Sequence, residues 1–493
     1  MSGDGRSKRV EGRLLHGSAL SLGSTLAARG LAVAQSVVVA RALDPHAVGV
    51  FSIVSYVLGL VAAFADLGLP TAAAKLIAET RGAARAALPP VVATLGLAML
   101  AVAGVAGLGL FAAAGPLAAL YAEPSLAGLF RLAALLLVLS LLGALGAGML
   151  QGLQRIDILA SSGVAKGVLT LLGIVLLVGP LGLAGVLVAS IVAELLLWLV
   201  VARPLARALG SRADGAAPAF APAVLRRGVH VAVPVFLVGL LVWGGALFVR
   251  SYLAAAGGYA DVGYFQLADA LARMVVLIPA AVAVPLVPLV SETTAAGTAR
   301  AADLTRVSLR LTLLTVLPAA LFLHVGAPAL VVLFYGAPYA PAGPLAALLV
   351  LAAFLQALGV IVWSTLVGTG RVWAGLWIQS AGYAALAALT VVLVPAFGLA
   401  GAGWAHVGAA ALSLALGLWY VARRLHVALG RVAALVPLCA AGWLAAWGLA
   451  LVGGAGLAAA LVLALAVLAL EWMALTREEA AWLRAALRRA GPP

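Results

Sequence analysis

Charge is scarce in this sequence. Asp, Glu, Lys and Arg make up 9% of its 493 residues, against roughly 25% in soluble globular domains. Hydrophobic residues make up 65%, and the mean hydropathy is +1.19. A water-soluble globular fold is therefore excluded. Cysteine is nearly missing: the single Cys439 can close no internal disulfide and has no companions for a thiolate metal site, so it reads as a small core hydrophobe. The histidines, His16, His46, His230, His324, His406 and His426, are scattered without metal-ligand spacing, and no metal or cofactor is assigned. No Walker-type phosphate loop is present, so ATP is not the direct energy source within this chain. Basic residues give a net charge of +14, but they alternate with apolar runs instead of forming one patch, which argues against a nucleic-acid partner.

Long apolar runs are abundant. A membrane-spanning helix needs about 20 apolar residues, and fourteen such runs can be drawn: about 14–41, 46–69, 86–113, 126–150, 157–179, 181–203, 228–254, 260–288, 302–326, 343–368, 373–395, 398–422, 429–451 and 453–475. The first follows a basic opening, MSGDGRSKRVEGRLLHG. It is longer than the about 7–15 residues of a signal-peptide core and lacks a clean cleavage site, so an uncleaved first helix behind a cytoplasmic tail is expected. With the N-terminus inside, inward segments hold the arginines and lysines at 6, 8, 9, 13, 75, 81, 85, 155, 203, 207, 212, 226, 227, 300, 306, 310, 371, 423, 424, 431, 477, 484, 488 and 489. Outward segments hold Arg41, Arg131 and Arg250, and Arg29, Lys166 and Arg273 lie within spans. The excess on one side fixes the orientation by the positive-inside rule, with both termini cytoplasmic.

The chain repeats itself. VGPLGLAG (178–185) echoes VPAFGLAG (394–401), LQGLQR (150–155) echoes LVGTGR (366–371), LYAEP (120–124) echoes FYGAP (334–338), and VGVF (48–51) echoes VGYF (262–265). The four matches come in order at nearly constant offset. Each repeat holds six spans, an even number, so both enter from the same side and their pseudo-twofold axis runs along the membrane normal, as in transporters built from parallel halves. The expected fold is an all-α integral membrane protein with two six-helix lobes around a central cavity and two further helices. The expected domains are a cytoplasmic tail (1–13), an N-terminal lobe (14–205), a cytoplasmic linker (206–227), a C-terminal lobe (228–425), two extra helices (426–475) and a cytoplasmic amphipathic tail (476–493). In that tail Trp482, Leu483 and Leu487 can lie on the inner leaflet among arginines.

ARALDPHAVGVFSIVSYVLGLVAAFADLGLPTAAAKLIAE (40–79), YADVGYFQLADALARMVVLIPAAVAVPLVPLVSE (259–292) and LFYGAPYAPAG (333–343) together resemble the Wzx-like polysaccharide and oligosaccharide flippases. These are polysaccharide biosynthesis proteins of the multidrug/oligosaccharidyl-lipid/polysaccharide exporter superfamily. The resemblance runs over about residues 14–425. It implies a transporter, not an enzyme, in the bacterial cytoplasmic membrane. The implied substrate is an undecaprenyl-pyrophosphate-linked glycan, moved to the outer leaflet by alternating access. The implied partners are membrane lipids, a proton or sodium ion, and polysaccharide polymerase machinery.

A pyrophosphate-sugar headgroup is large, hydrated and anionic, so its carrier must offer polar and cationic groups inside the membrane. Intramembrane ionisable residues are costly and usually functional, which leaves a short set. Arg29, in span 1, and Arg273, in span 8, can each donate two parallel hydrogen bonds to a phosphate. Lipid II flippases carry cavity arginines on the corresponding helices. The alternative for both is an interhelical staple or snorkelling. Asp269 lies one helical turn before Arg273 and is a structural partner, a substrate-displaced switch or a coupling-ion site. Lys166 lines the inward vestibule or snorkels. Glu194 is deep in span 6 with no cation near it in sequence; it stays protonated, pairs with another helix, or couples an ion. Gln35, Gln266 and Gln379 can bond sugar hydroxyls.

Other readings remain beside this one. They are a lipid II flippase, a cation-coupled multidrug exporter, and a membrane glycosyltransferase or polymerase. The last is disfavoured by short outward loops with little charge.

Overall fold

A membrane helix must satisfy its own backbone, so the chain folds as helices joined by tight turns. The computed structural model describes residues 23–24, 27–83, 88–210, 222–295, 298–451 and 457–474. The expected cytoplasmic tails, and half of the linker (211–221), lie outside them. Among the described residues there is no strand. Helices run over 27–42 (α1), Pro45–Asp66 (α2), Leu69–Ala83 (α3), Leu88–Leu120 (α4), Ser125–Gly152 (α5), Ile156–Gly210 (α6), Pro222–Gly257 (α7) and Tyr259–Ala272 (α8). After a 3₁₀ turn at Arg273–Val276 come Leu277–Ala295 (α9), Thr298–Tyr335 (α10), Ala342–Gly368 (α11), Val372–Phe397 (α12), Leu399–Arg424 (α13), Gly430–Ala433 (α14), Val436–Leu451 (α15) and Leu457–Ala474 (α16).

Over their described residues, the fourteen expected spans fall on this helical framework. Among the described residues, eight stretches are long and apolar enough to cross a membrane by themselves. Two of those, Ile156–Leu199 and Val372–Arg424, carry two crossings each about a glycine. The spans sort by burial. Those on α10 and α11 are 61% and 67% buried in their apolar windows, whereas the stretch over α12 and α13 is 22% buried. The former are the interior of their unit and the latter present apolar side chains outward, as a lipid-facing helix must. Local signals fix the ends. Asp44 caps α2 by accepting from the Ala47 amide at 2.7 Å, with Pro45 in the first turn. The helix stops where Leu67 turns left-handed (φ 46°).

The duplication is written into the backbone. Gly182 (φ 55°, ψ −133°) breaks α6 into two antiparallel spans, and Gly398 (φ 56°, ψ −134°) joins α12 to α13 in the same conformation. Past each glycine the chain closes on itself: a Cβ on Gly185 would lie 2.2 Å from the Leu177 carbonyl oxygen, and one on Gly401 2.2 Å from that of Leu393. The turn at 150–155 bonds the Arg155 amide to the Leu150 carbonyl at 2.9 Å, and its counterpart bonds Arg371 to Leu366 at 2.7 Å. Lipid supplies no hydrophobic drive between helices, so close packing of small residues holds them together. Gly148 and Gly152 of α5 lie against the Pro70 and Ala74 carbonyls of α3.

By its contacts the chain divides into two compact units, one ending at Gly263 and one beginning at Tyr264. In the second, α10 is flanked by the two extra helices. Gly326 meets Leu457 and Ala460 of α16. Buried His324, whose Nδ1 is 2.9 Å from the Ala347 carbonyl oxygen, stands edge-on to Trp443 of α15 at 4.8 Å.

Backbone of this kind is open to glycine alone and costs other residues about 1–3 kcal/mol. Gly182→Ala and Gly398→Ala are each expected to lower the unfolding temperature of the purified protein, and by similar amounts, because the two turns are the same. Thermal melts followed by tryptophan fluorescence check this.

Candidate functional site

Two pairs of oppositely charged residues lie inside the spans, one in each unit. The Gly182 turn sets the two halves of α6 side by side. A Cβ on Gly173 would lie 2.8 Å from that of Ala189, so residues farther from the turn also face each other. That register brings Lys166 to Glu194, 28 positions away, and its Nζ donates to the Glu194 Oε1. The partners differ in exposure: the Lys166 side chain is 43% exposed and that of Glu194 is 3%. Gly143 of α5 walls the carboxylate, its Cβ position 3.3 Å from Oε2. Gln35 of α1 joins the cluster by donating from Nε2 to the Gly167 carbonyl at 2.9 Å. The expected residues Gln35, Lys166 and Glu194 therefore meet at one place. Arg29, on the same helix as Gln35, is exposed.

In the second unit Arg273 donates from Nε to Asp269 Oδ2 at 3.0 Å, and its Nη2 is 3.0 Å from the same oxygen. Arg273 stays 58% exposed while paired and Asp269 is 15% exposed. The helix tightens to 3₁₀ at Arg273, so the arginine sits at a change of helical pitch. Gln266 and Gln379 are both half-buried on their helices. Among the described residues no three His, Cys, Asp or Glu side chains converge as metal ligands.

A third cluster was not foreseen from the sequence. It joins elements of the first repeat to α7 and the start of α8, all within the first unit, at the end that carries the turns near 43, 122 and 258. Its centre is a crossing of the two matched segments. A Cβ on Gly49 would lie 1.8 Å from the Tyr259 carbonyl oxygen, and one on Gly263 2.0 Å from that of Pro45. Gly49 and Pro45 are the repeat counterparts of Gly263 and Tyr259, so the contact is reciprocal, as a twofold contact must be. Around it the Tyr259 hydroxyl donates to the Tyr121 carbonyl at 2.7 Å, and the Tyr121 hydroxyl is 2.7 Å from the Ser251 Oγ. His46 Nε2 stands 3.4 Å from Glu123 Oε2. Burial, with the Glu123 and Tyr121 charges adding to it, pushes the Tyr259 phenol up to about 12, so it remains a donor at any physiological pH. Arg250, fully buried, donates to the Ser52 Oγ at 3.0 Å and lies 3.5 Å over the Tyr56 ring. The signal for this cluster was the VGVF/VGYF match: a glycine kept at the same place in both repeats marks a close approach.

A family model described as "Polysaccharide biosynthesis protein" matches residues 14–294, more than half of the chain. The chain belongs to that family. No curated protein matches the family member by sequence. Its fold is shared with solved transporters. A multidrug resistance MATE family transporter of the MOP superfamily, in an inward-facing conformation, matches at a TM-score of 0.66 and 16% identity, covering 80% of this chain and 94% of its own. The lipid II flippase MurJ, in an inward closed conformation, matches at 0.66 and 11% identity, covering 91% and 96%. A MOP superfamily transporter from Pyrococcus furiosus matches at 0.57 and 17%, covering 83% and 95%. Identities this low speak for the fold alone. This polysaccharide biosynthesis protein is thus a multi-pass membrane protein with a MOP-superfamily transporter fold.

A methyl group at the crossing has no room, so Gly49→Ala or Gly263→Ala must part α2 from α8. In a Cys439→Ser background, Ser52→Cys is expected to react slowly with a membrane-impermeant maleimide, since Ser52 is buried. Adding either glycine substitution should raise that rate several-fold, as followed by mass shift.

Proposed function

We propose that this protein is a flippase that carries a polyprenyl-pyrophosphate-linked oligosaccharide across the bacterial cytoplasmic membrane. The supporting observation is that three cationic side chains within spans, Arg29, Lys166 and Arg273, keep exposed surface in a member of a polysaccharide biosynthesis family. An exposed charge facing hydrocarbon is prohibitive, so such groups face a polar cavity. Cations in a polar cavity suit an anionic headgroup whose lipid tail stays in the bilayer.

The roles follow from the chemistry. Arg29 and Arg273 offer planar forks that match phosphate oxygens. Lys166 offers a compact, mobile charge. Asp269 holds Arg273 in place while the site is empty and yields it to the pyrophosphate, so the arginine is never an unpaired charge. Gln35 and Gln266 lie near these cations in sequence or space and suit sugar hydroxyls. Alternating access then moves the headgroup from the inner to the outer leaflet. The matching fold of the MATE transporter favours one second reading, export of organic cations driven by an ion gradient.

Leaflet-resolved translocation of a short-chain polyprenyl-pyrophosphate glycan in proteoliposomes tests this. Wild type is expected to flip the lipid. Arg29→Ala and Arg273→Ala should each lose about 10- to 100-fold in rate, matching about 1.5–3 kcal/mol for a lost charged hydrogen bond. Asp269→Asn removes the competing anion and should bind the headgroup at least as tightly as wild type. No lipid translocation, together with gradient-driven movement of organic cations, would assign the second reading instead.

A further inference from the structure

The repeat match that sets Arg155 on Arg371 carries an inference independent of the transport reading. The two turns share one backbone. Each arginine follows a residue of positive φ, Gln154 (55°) in one and Gly370 (73°) in the other, and each arginine amide bonds back to a leucine carbonyl, of Leu150 or Leu366. The side chains differ. In the first repeat Arg155 grips Asp157: its Nε lies 3.0 and 3.3 Å from the two carboxylate oxygens, and its Nη2 lies 2.9 Å from Oδ2. Asp157 also stands in the first turn of α6, where a helix favours negative charge. In the second repeat the corresponding position is Trp373. α12 has no acidic residue in its first turn and no side-chain cap.

Arg371 therefore keeps the grip without the anion. Its Nη1 donates to the Tyr420 hydroxyl at 3.2 Å, a neutral partner. The Nε–Nη2 edge, which holds the carboxylate in Arg155, bonds to no described residue in Arg371. The arginine is exposed. Neither α12 nor α13 contains an acidic residue, and the last turn of α13 adds Arg423 and Arg424 at the same end of the hairpin. The hairpin also presents Trp373, Trp377 and Trp419 outward. Gly382 packs against Ser413, and in that register Trp377 and Trp419 lie at one depth. An arginine fork matches phosphate oxygens, and exposed indoles beneath a basic end suit the boundary between lipid headgroups and acyl chains.

We propose that the Nε–Nη2 edge of Arg371 binds the phosphate of an anionic phospholipid, of the phosphatidylglycerol kind, whose acyl chains lie along the Trp377 and Trp419 face of the hairpin. The lipid supplies from outside the charge that Asp157 supplies within the first repeat. Arg423 and Arg424 favour a headgroup of net negative charge over a zwitterionic one. A free phosphate would meet the same arginine but leave the indoles uncovered. Basic ends of spans face the cytoplasm, so the lipid belongs to the inner leaflet, where basic groups beside a span attract anionic headgroups. The site lies on the hairpin whose apolar window is only 22% buried. It holds a resident lipid at the outer surface of its unit and is separate from the charged pairs within the spans.

The test uses the full chain in detergent micelles, with native mass spectrometry reading bound lipid. The probes are dioleoyl phosphatidylglycerol, dioleoyl phosphatidylcholine and inorganic phosphate. Wild type is expected to retain phosphatidylglycerol in preference to phosphatidylcholine, and excess inorganic phosphate should not displace it. Arg371→Gln should lose about 10-fold in affinity for phosphatidylglycerol, the scale of a lost charged hydrogen bond. Trp373→Asp rebuilds the arrangement of the first repeat, so it is expected to keep the fold while its carboxylate occupies the arginine. It should lose the preference as well, which covers the case of an Arg371→Gln variant that does not fold. Trp373→Phe and Arg155→Gln should both retain the preference. No preference in wild type, or one that survives Trp373→Asp, overturns the inference. Displacement by inorganic phosphate assigns the edge to a free anion and overturns the lipid. Bound lipid is read without transport, so the flippase reading stands or falls separately.

Discussion

A charge in hydrocarbon needs a partner or water, and this requirement organises the protein. The sequence keeps charge out of its spans almost entirely, and several of the charged side chains it admits are held in specific ways. Lys166 meets Glu194, Arg273 meets Asp269, and Arg250 is taken up by a hydroxyl and an aromatic face. Pairs of this kind seldom add net stability, because desolvation offsets much of the attraction.

The scaffold that holds these pairs is built by duplication, and the duplicated parts are backbone features. Gly182 and Gly398 share one conformation to within a degree in each dihedral, and Gly49 meets Gly263 in a reciprocal crossing. A helix pair joined by such a turn has a fixed register, and two helices that cross at glycines approach backbone to backbone. In lipid, where side-chain burial gives little drive, that closeness is the main source of cohesion. Two copies of one supersecondary unit thus repeat the same turn and the same glycine approach.

The frame was largely legible in the sequence because it rests on composition and on glycine. Apolar runs located the fourteen spans, and the echoes at 178–185 and 394–401 marked turns that prove identical. The site was legible only in part. Asp269 and Arg273 are four apart, and a helix makes such residues neighbours, so their pairing could be read directly. Lys166 and Glu194 are 28 apart, and nothing in either segment gives the register of the hairpin between them, so Glu194 looked solitary. The links from His46 to Glu123 and from Tyr121 to Ser251 and Tyr259 join distant segments and were invisible for the same reason. The glycine match at 49 and 263 was seen as a sign of duplication, but its meaning as a crossing needed three dimensions.

The repeats diverge where the chemistry sits. Shifting Lys166 and Glu194 into the second repeat, at the spacing set by Gly182 and Gly398, lands on Gly382 and Ala410. Gly382 is packed so closely that a Cβ would lie 1.9 Å from the Ser413 hydroxyl, so a lysine there would have to displace that side chain. Shifting Asp269 and Arg273 into the first repeat, at the spacing of Gly49 and Gly263, lands on Ser55 and Gly59, and Gly59 is filled by the Trp243 ring. Each lobe therefore carries one charged pair at a place where the other lobe has small residues in close contact. The first unit thus holds a half-exposed lysine backed by an enclosed carboxylate, and the second an exposed arginine backed by a half-buried one.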